Sequence, residues 1–440
     1  MNQSSSSRET CSDELFAEIA RWPIFDPHTH IDPHRPAARH FEEILGYHYY
    51  TELAHSAGMP AEAVAASLEP DARAAAVVEY LDHIDSTVQY SWLLEIARTF
   101  HQFRHDRITP KNLGELLRAA DHRERGSEWD TEVFRSSGLE TVFLTNEFDD
   151  PLEGWDTARY VPCLRTDDLV LKLHEPRTIA RLKTSLGMDV GDVASLNRAI
   201  GLLFERFVSR GARAVAVSLP PDFVPRPASY RRASTPIRKA IHGMELRRDE
   251  IEEVRCALFW TIAEFCAEFR LPFDLMIGPV RNVYPQGVAG GRDLFDRRVS
   301  LYDYRDLFNH FKSVVFPVST LSPDASAELV SYSWIFPNVV PNGHWWYSNV
   351  PAFITADLRA RVQALPKTKL LGYYSDAYKL EFIAPKFNMY RRILADVLSE
   401  EAVRGRGWPM ERALGLAKLI LIDNPKRIFA RVPPRSESPI

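Results

Sequence analysis

Apolar and polar positions alternate in two different rhythms along this chain, and the change of rhythm marks the elements. Short β-branched and aromatic runs recur at 141–145 (TVFLT), 160–164 (YVPCL), 212–219 (ARAVAVSL), 272–278 (PFDLMIG), 313–318 (SVVFPV), 338–343 (NVVPNG) and 369–376 (KLLGYYSD). With WPIFDPH near the start they make eight candidate strands. Between them, segments such as 195–211 and 251–269 carry apolar residues three and four apart, the spacing of a helix with one buried face. The first of these ends at Gly211, as a helix C-terminus often does. Strand and helix alternating to a count of eight predict an α/β fold, a parallel (β/α)8 TIM barrel. The stretch from about 36 to 135 breaks the alternation. It has helical patterns and no convincing strand, and is expected to be a helical insertion after strand 1.

The ends read differently. Ser-rich polar sequence at the start buries too little to offset ordering entropy, so a disordered tail is expected over 1–20 and another over 433–440. The metal-dependent barrel, insertion included, is then expected over 21–432. The chain has 440 residues, 45% hydrophobic and 26% charged, ample for one large core. A net charge of -5 offers no basic field for a polyanion, which sets nucleic acid aside as a partner. No apolar run approaches the roughly 18 residues of a membrane span, and no signal-peptide pattern opens the chain. The four cysteines form no C-x-x-C pair, so a reducing, cytoplasmic setting is expected. The basic stretch 226–250 reads as a solvated face.

The candidate chemistry lies where barrels keep it, at the C-terminal ends of strands. His28 and His30 stand one residue apart after the first strand, so on an extended chain both rings face one side and Thr29 the other. The last strand ends in Asp376, and strands one and eight are neighbours in a closed barrel. Two imidazoles and one carboxylate then suit a divalent cation, with positions left for water or substrate. Arg165 ends the strand 160–164, Glu147, Asp149 and Asp150 follow 141–145, and His344 precedes Trp345 and Trp346. No histidine ends 212–219 or 272–278, which points to a mononuclear site.

In order along the chain, FDPHTH, LGYHYYTELAHSAG, TNEFDDPLEGW, VPCLRTDDLV, MIGPVRN, HWWYSNVP, YYSDAYKLEFIAPKFNMYRRIL and NPKRIF resemble the motifs of uronate (glucuronate) isomerases in the amidohydrolase superfamily. The resemblance runs from about 20 to 430. It implies an aldose–ketose isomerase that moves a proton between C2 and C1 of a sugar acid through an enediol. His28, His30 and Asp376 would hold one divalent metal ion, zinc in the first instance and manganese as the alternative. Asp376 would also serve as the base, with Tyr49 as phenolic donor and His48 near the metal or the sugar hydroxyls. Arg165 would grip the substrate carboxylate, Arg281 and Tyr378 would contact substrate, and Trp345 and Trp346 would wall the pocket. The expected partner is a small sugar acid, and assembly into a homo-oligomer is left open.

Several positions depart from the family pattern. Tyr378 stands where the family has an arginine, Glu52 where it has another, and Tyr47 where it has an aspartate. Ala216 and Val217 replace an Asp-His pair and Met276 a histidine. These losses predict weak activity on the standard hexuronates. Two other readings stay open on the sequence: an amidohydrolase-type hydrolase or decarboxylase, and a catalytically silent barrel with a binding role.

Overall fold

The computed structural model describes residues 2–227 and 230–430. Parallel strands buried on both faces form its centre, which is why their sequences run apolar rather than alternating. In chain order the strands of the described residues are β1 (Ile24–Asp26), β2 (Leu139–Phe143), β3 (Tyr160–Val161), β4 (Leu164–Arg165), β5 (Val215–Leu219), β6 (Phe273–Ile277), β7 (Pro279–Val280), β8 (Leu294–Phe295), β9 (Phe316–Thr320) and β10 (Val339–Pro341), all but β7 and β8 belonging to that parallel centre. The parallel ladder runs as two arcs, β1-β2-β3 and β4-β5-β6-β9-β10. In the second arc Val215 pairs with Phe273 and Leu275 with Val318. β3 and β4 are one predicted run divided at Pro162, which has no N–H for the ladder. The bridge Asn146–Leu164 joins the two arcs across that break.

Seven of the eight predicted runs therefore carry ladder strands, and the architecture is an α/β barrel. The eighth, 369–376, is extended but belongs to no ladder among the described residues. Its neighbours have other partners. Gly372 N–H donates to Ile420 O at 3.1 Å, and Asn342 O, just beyond β10, accepts from Arg361 at 2.9 Å. Pro341 has no N–H to offer. The run is held against the first strand instead, by Asp376 N–H to His28 O at 3.2 Å and His30 N–H to Ala377 O at 2.8 Å. On its other side Gly343 passes so close that a Cβ there would lie 2.9 Å from Tyr374 N.

The helix predicted over 195–211 is Val193–Ser209, capped by Asp192, which accepts from Ser195 N–H at 2.8 Å. Leu196, Ala199, Ile200, Leu203, Phe204 and Phe207 form its buried face. Residues 36–135 hold six α-helices, from Glu42–Leu45 to Trp129–Ser136, and no strand. The expected tail over 1–20 is corrected: Asn2–Ile19 is helical, with Leu15 and Ile19 fully buried. These two lie four residues apart on one helix face, and Ser12 and Asp13 bond Asp396 and Arg392 of the helix Ile383–Leu398. The tail expected at 433–440 lies outside the described residues. β7 and β8, not foreseen, form an antiparallel pair whose connecting loop reaches over the strand ends.

Candidate functional site

His28 and His30 follow β1 in extended backbone, and their rings converge with the Asp376 carboxylate as the i, i+2 spacing requires. Thr29 turns the other way, its N–H and hydroxyl both donating to Phe143 O, at 2.9 and 2.7 Å. His30 Nε2 lies 3.3 Å and His28 Nε2 3.7 Å from Asp376 Oδ1. One atom from each of the three residues falls within 4.8 Å of the others. Asp376 takes a left-handed backbone conformation, φ +53°, which an aspartate tolerates better than a branched residue.

The other ring nitrogens are engaged. His30 Nδ1 meets Thr145 Oγ1 at 2.7 Å, and that hydroxyl gives its own hydrogen to Thr29 O at 3.0 Å, so His30 is the donor. His28 Nδ1 lies 3.4 Å from Asp274 Oδ2, and Asp274 Oδ1 accepts from Asn342 at 3.2 Å. Both rings thus present a bare Nε2 to the shared point. His28 Nε2 and Asp376 Oδ1 are buried and have no hydrogen-bond partner. Orphaned buried polar atoms aimed at one another carry a desolvation cost that a divalent cation would remove, so the donor set fits a metal ion.

Electrostatics agree with that demand. Burial pushes the Asp376 carboxyl up, but the proximity of His30, His28 and Lys386 outweighs it and lowers its pKa from the ordinary value. Burial lowers the pKa of His30. It also opposes charge on His28, where the Asp274 bond prevails and raises the pKa. Asp26, at the end of β1, accepts from Ser375 N–H at 3.0 Å, and burial raises its pKa to about 6. Lys386 lies fully buried behind this layer, donating to Ser375 O at 2.9 Å and Tyr47 OH at 3.0 Å. Tyr47 OH in turn donates to Asp376 O at 3.3 Å, and burial brings the Lys386 pKa down to about 8.

A cavity of about 200 Å³ opens onto the triad. His28, His30, His48, Arg165, Arg281, Trp345, Trp346, Asp376 and Tyr378 all line it, so these predicted site residues are brought together. Arg165 bonds Asp167 at 3.2 Å and Glu147 at 3.4 Å, and Arg281 bonds Asp293 at 2.6 Å. Tyr378 stacks on His30, with ring centroids 4.9 Å apart. Tyr49 is the exception. It is not among the residues lining the cavity, and its hydroxyl accepts from Trp346 N–H at 2.9 Å, a bond that leaves the phenolic hydrogen able to donate. His344 faces away, 3.3 Å from Asp357, and Glu147 and Asp149 are engaged by Arg181.

Sequence reasoning missed Asp274, Thr145 and Lys386, and read Glu52 only as a departure from the family pattern. Asp274 carried a usable signal, an acid inside an apolar strand that must find a partner. Thr145 and Glu52 carried none, since their partners are distant side chains or an unremarkable i, i+4 neighbour.

Comparison with known proteins places these features in a family. A model of the family described as glucuronate isomerase matches residues 2–429. The chain is 22% identical over 444 residues to a uronate isomerase of Thermotoga sp. (strain RQ2), covering 95% of this chain and 96% of that protein. It is 24% identical over 431 residues to a uronate isomerase of Rhizorhabdus wittichii, covering 88% and 89%. In three dimensions it resembles the uronate isomerase of Thermotoga maritima, with a TM-score of 0.88 at 20% identity over 96% of this chain and 97% of that one. It also resembles the glucuronate isomerase of Caulobacter crescentus, with a TM-score of 0.87 at 17% identity over 96% and 94%.

Proposed function

The chain belongs to the glucuronate isomerase family, and on that premise we propose that it interconverts an aldose and a ketose form of a uronate at the cavity beside His28, His30 and Asp376. The observation that carries the reading is the family match over residues 2–429 coinciding with a His-His-Asp cluster at the strand ends. A divalent ion bound by these three residues, zinc in the first instance and manganese as the alternative, would supply Lewis acidity at a sugar oxygen.

The chain's own residues do the rest. Thr145 and Asp274 hold the two imidazoles with Nε2 bare. Asp376 is the base for the C2 proton and returns it to C1. Arg165 and Arg281 are the cations at the cavity for the substrate carboxylate, a bidentate task suited to guanidinium. Trp345 and Trp346 exclude water from one wall. Hydrolysis is the weaker reading: Ala216, Val217 and Met276 line the cavity where side chains for a second ion would have to stand. The small sugar acid is the partner this site accommodates. Four unpaired cysteines favour a reducing cytoplasm, and no helix of the described residues is long and apolar enough to cross a membrane.

Incubation with glucuronate or galacturonate in deuterated water, followed by proton NMR, tests the reading. Ketose signals with deuterium at C1 or C2 are expected. Cleavage products without ketose would overturn it.

A further inference from the structure

The helix His48–Ser56 carries two side chains whose joint arrangement the reading above does not use. His48 Nδ1 lies 2.7 Å from Glu52 Oε1, one helical turn on. A carboxylate there accepts, so the hydrogen sits on Nδ1 and Nε2 is left to the cavity that His48 lines. Glu52 is held from a second side, because its Oε2 accepts from Trp346 Nε1 at 3.2 Å. The loop between β7 and β8 closes a third. A Cβ at Gly290, φ +81°, would come within 2.9 Å of His48 Cβ, and one at Gly291 within 2.5 Å of Glu52 Cγ. Only glycines let that backbone lie directly on the pair. The side chains are 18% and 16% exposed, which separates this pair from a solvated surface i, i+4 contact.

We propose that His48 and Glu52 form the dyad that carries the oxygen-bound protons of the isomerisation, His48 as a catalytic residue and Glu52 as its positioning residue. The proposal rests on the isomerase reading and divides its proton transfers between two groups. As Asp376 takes the C2 proton, the C2–H electron pair forms the C1–C2 double bond. His48 enters the cycle with both ring nitrogens protonated, and the carbonyl π pair takes the proton from its Nε2, leaving a neutral enediol and a bare Nε2. In the second half Nε2 removes the O2 proton, the O–H pair forms the C2 carbonyl, and the double-bond pair takes the Asp376 proton at C1. Both side chains end as they began. Throughout, the hydrogen on Nδ1 stays there, donated to Glu52, whose charge balances the ring when both nitrogens are protonated.

Glu52→Gln discriminates, because an amide cannot satisfy both neighbours. If its NH2 faces Nδ1, the ring must move its hydrogen to Nε2; if it faces Trp346, two N–H groups oppose each other. In protein labelled with nitrogen-15 in its 14 histidines, with His48 assigned by His48→Asn, the wild type at alkaline pH should show the Nδ1–H tautomer and Glu52→Gln the Nε2–H tautomer. With uronate, Glu52→Gln should lower kcat about 100-fold while KM stays within about threefold. A wild-type Nε2–H tautomer, or a Glu52→Gln kcat within about threefold of wild type, would overturn the dyad. A wild type that makes no ketose overturns the isomerase reading and this catalytic role with it, while the tautomer measurement still decides whether Glu52 sets the ring.

Discussion

His30 shows how much of a metal site resides in atoms that never touch the ion. Thr145 accepts its Nδ1 hydrogen and passes its own to Thr29 O, which fixes both the tautomer and the ring plane. Thr145→Val keeps the shape and removes the acceptor, so divalent-ion affinity should weaken about 10- to 100-fold, measured by competition with a chromogenic chelator. Unchanged affinity would mean that ring packing alone orients His30. Arg165 is a different case, since its two carboxylate partners, Asp167 and Glu147, would survive its removal at a partly solvated position. Arg165→Met should raise KM for a uronate about 10- to 100-fold. Its melting temperature should stay within about 3 °C of wild type. Unfolding of the variant would make the arginine structural.

At the scale of elements, the helical insertion conceals an acid with no counter-ion. Glu124, at the end of the helix Pro110–Glu124, is fully buried, and its nearest charged-type neighbour is His101, 3.4 Å away at the end of Val88–His101. Burial raises the Glu124 pKa to about 8 and lowers that of His101 to about 3, so the folded protein holds both neutral near pH 6. The unfolded chain releases the Glu124 proton near pH 4.5, so between about 4.5 and 8 the folded state binds more protons and stability falls as pH rises. Glu124→Gln removes that dependence. Its melting temperature should gain on wild type by roughly 2–4 °C from pH 5 to 8.5, as a buried ionisation costing about 2 kcal/mol would give. A constant difference across that range would show the pair to be ionised throughout. Elements with strong periodicity, such as Val193–Ser209, were legible in the chain because six apolar positions recur on one face. Asn2–Ile19 was not, because its packed residues come late in a Ser-rich segment and find their partners on a helix nearly 400 positions away.

Across the whole molecule, the His-His-Asp cluster ties the first strand to the run before the last long helix, residues 28 and 30 to residue 376. An ion that binds there favours the folded state by mass action, about 4 kcal/mol at a free concentration 1,000 times its Kd. Chelation should therefore lower the wild-type melting temperature by several degrees and leave the double variant His28→Ala, His30→Ala unmoved. Elemental analysis should find close to one equivalent per wild-type chain and none in the variant. Two equivalents per chain would sink the mononuclear site.

What the sequence determined by itself was what local geometry dictates. Two-residue spacing on an extended chain turns His28 and His30 together and Thr29 away, and the strand–helix rhythm leads to the barrel with its insertion. Tertiary structure alone decided which atoms those side chains meet. It turned Tyr49 to Trp346 N–H rather than to the cavity, set Asp274 and Thr145 behind the histidines, and let Glu52 join His48 to Trp346 under Gly290 and Gly291. It also left the eighth run outside the ladder, because Ile420 and Arg361 engage the groups a neighbouring strand would have used. Periodicity records which face of an element is buried. The hydrogen-bond partner of a buried polar atom is chosen by chain segments hundreds of residues away, and no local pattern carries that choice.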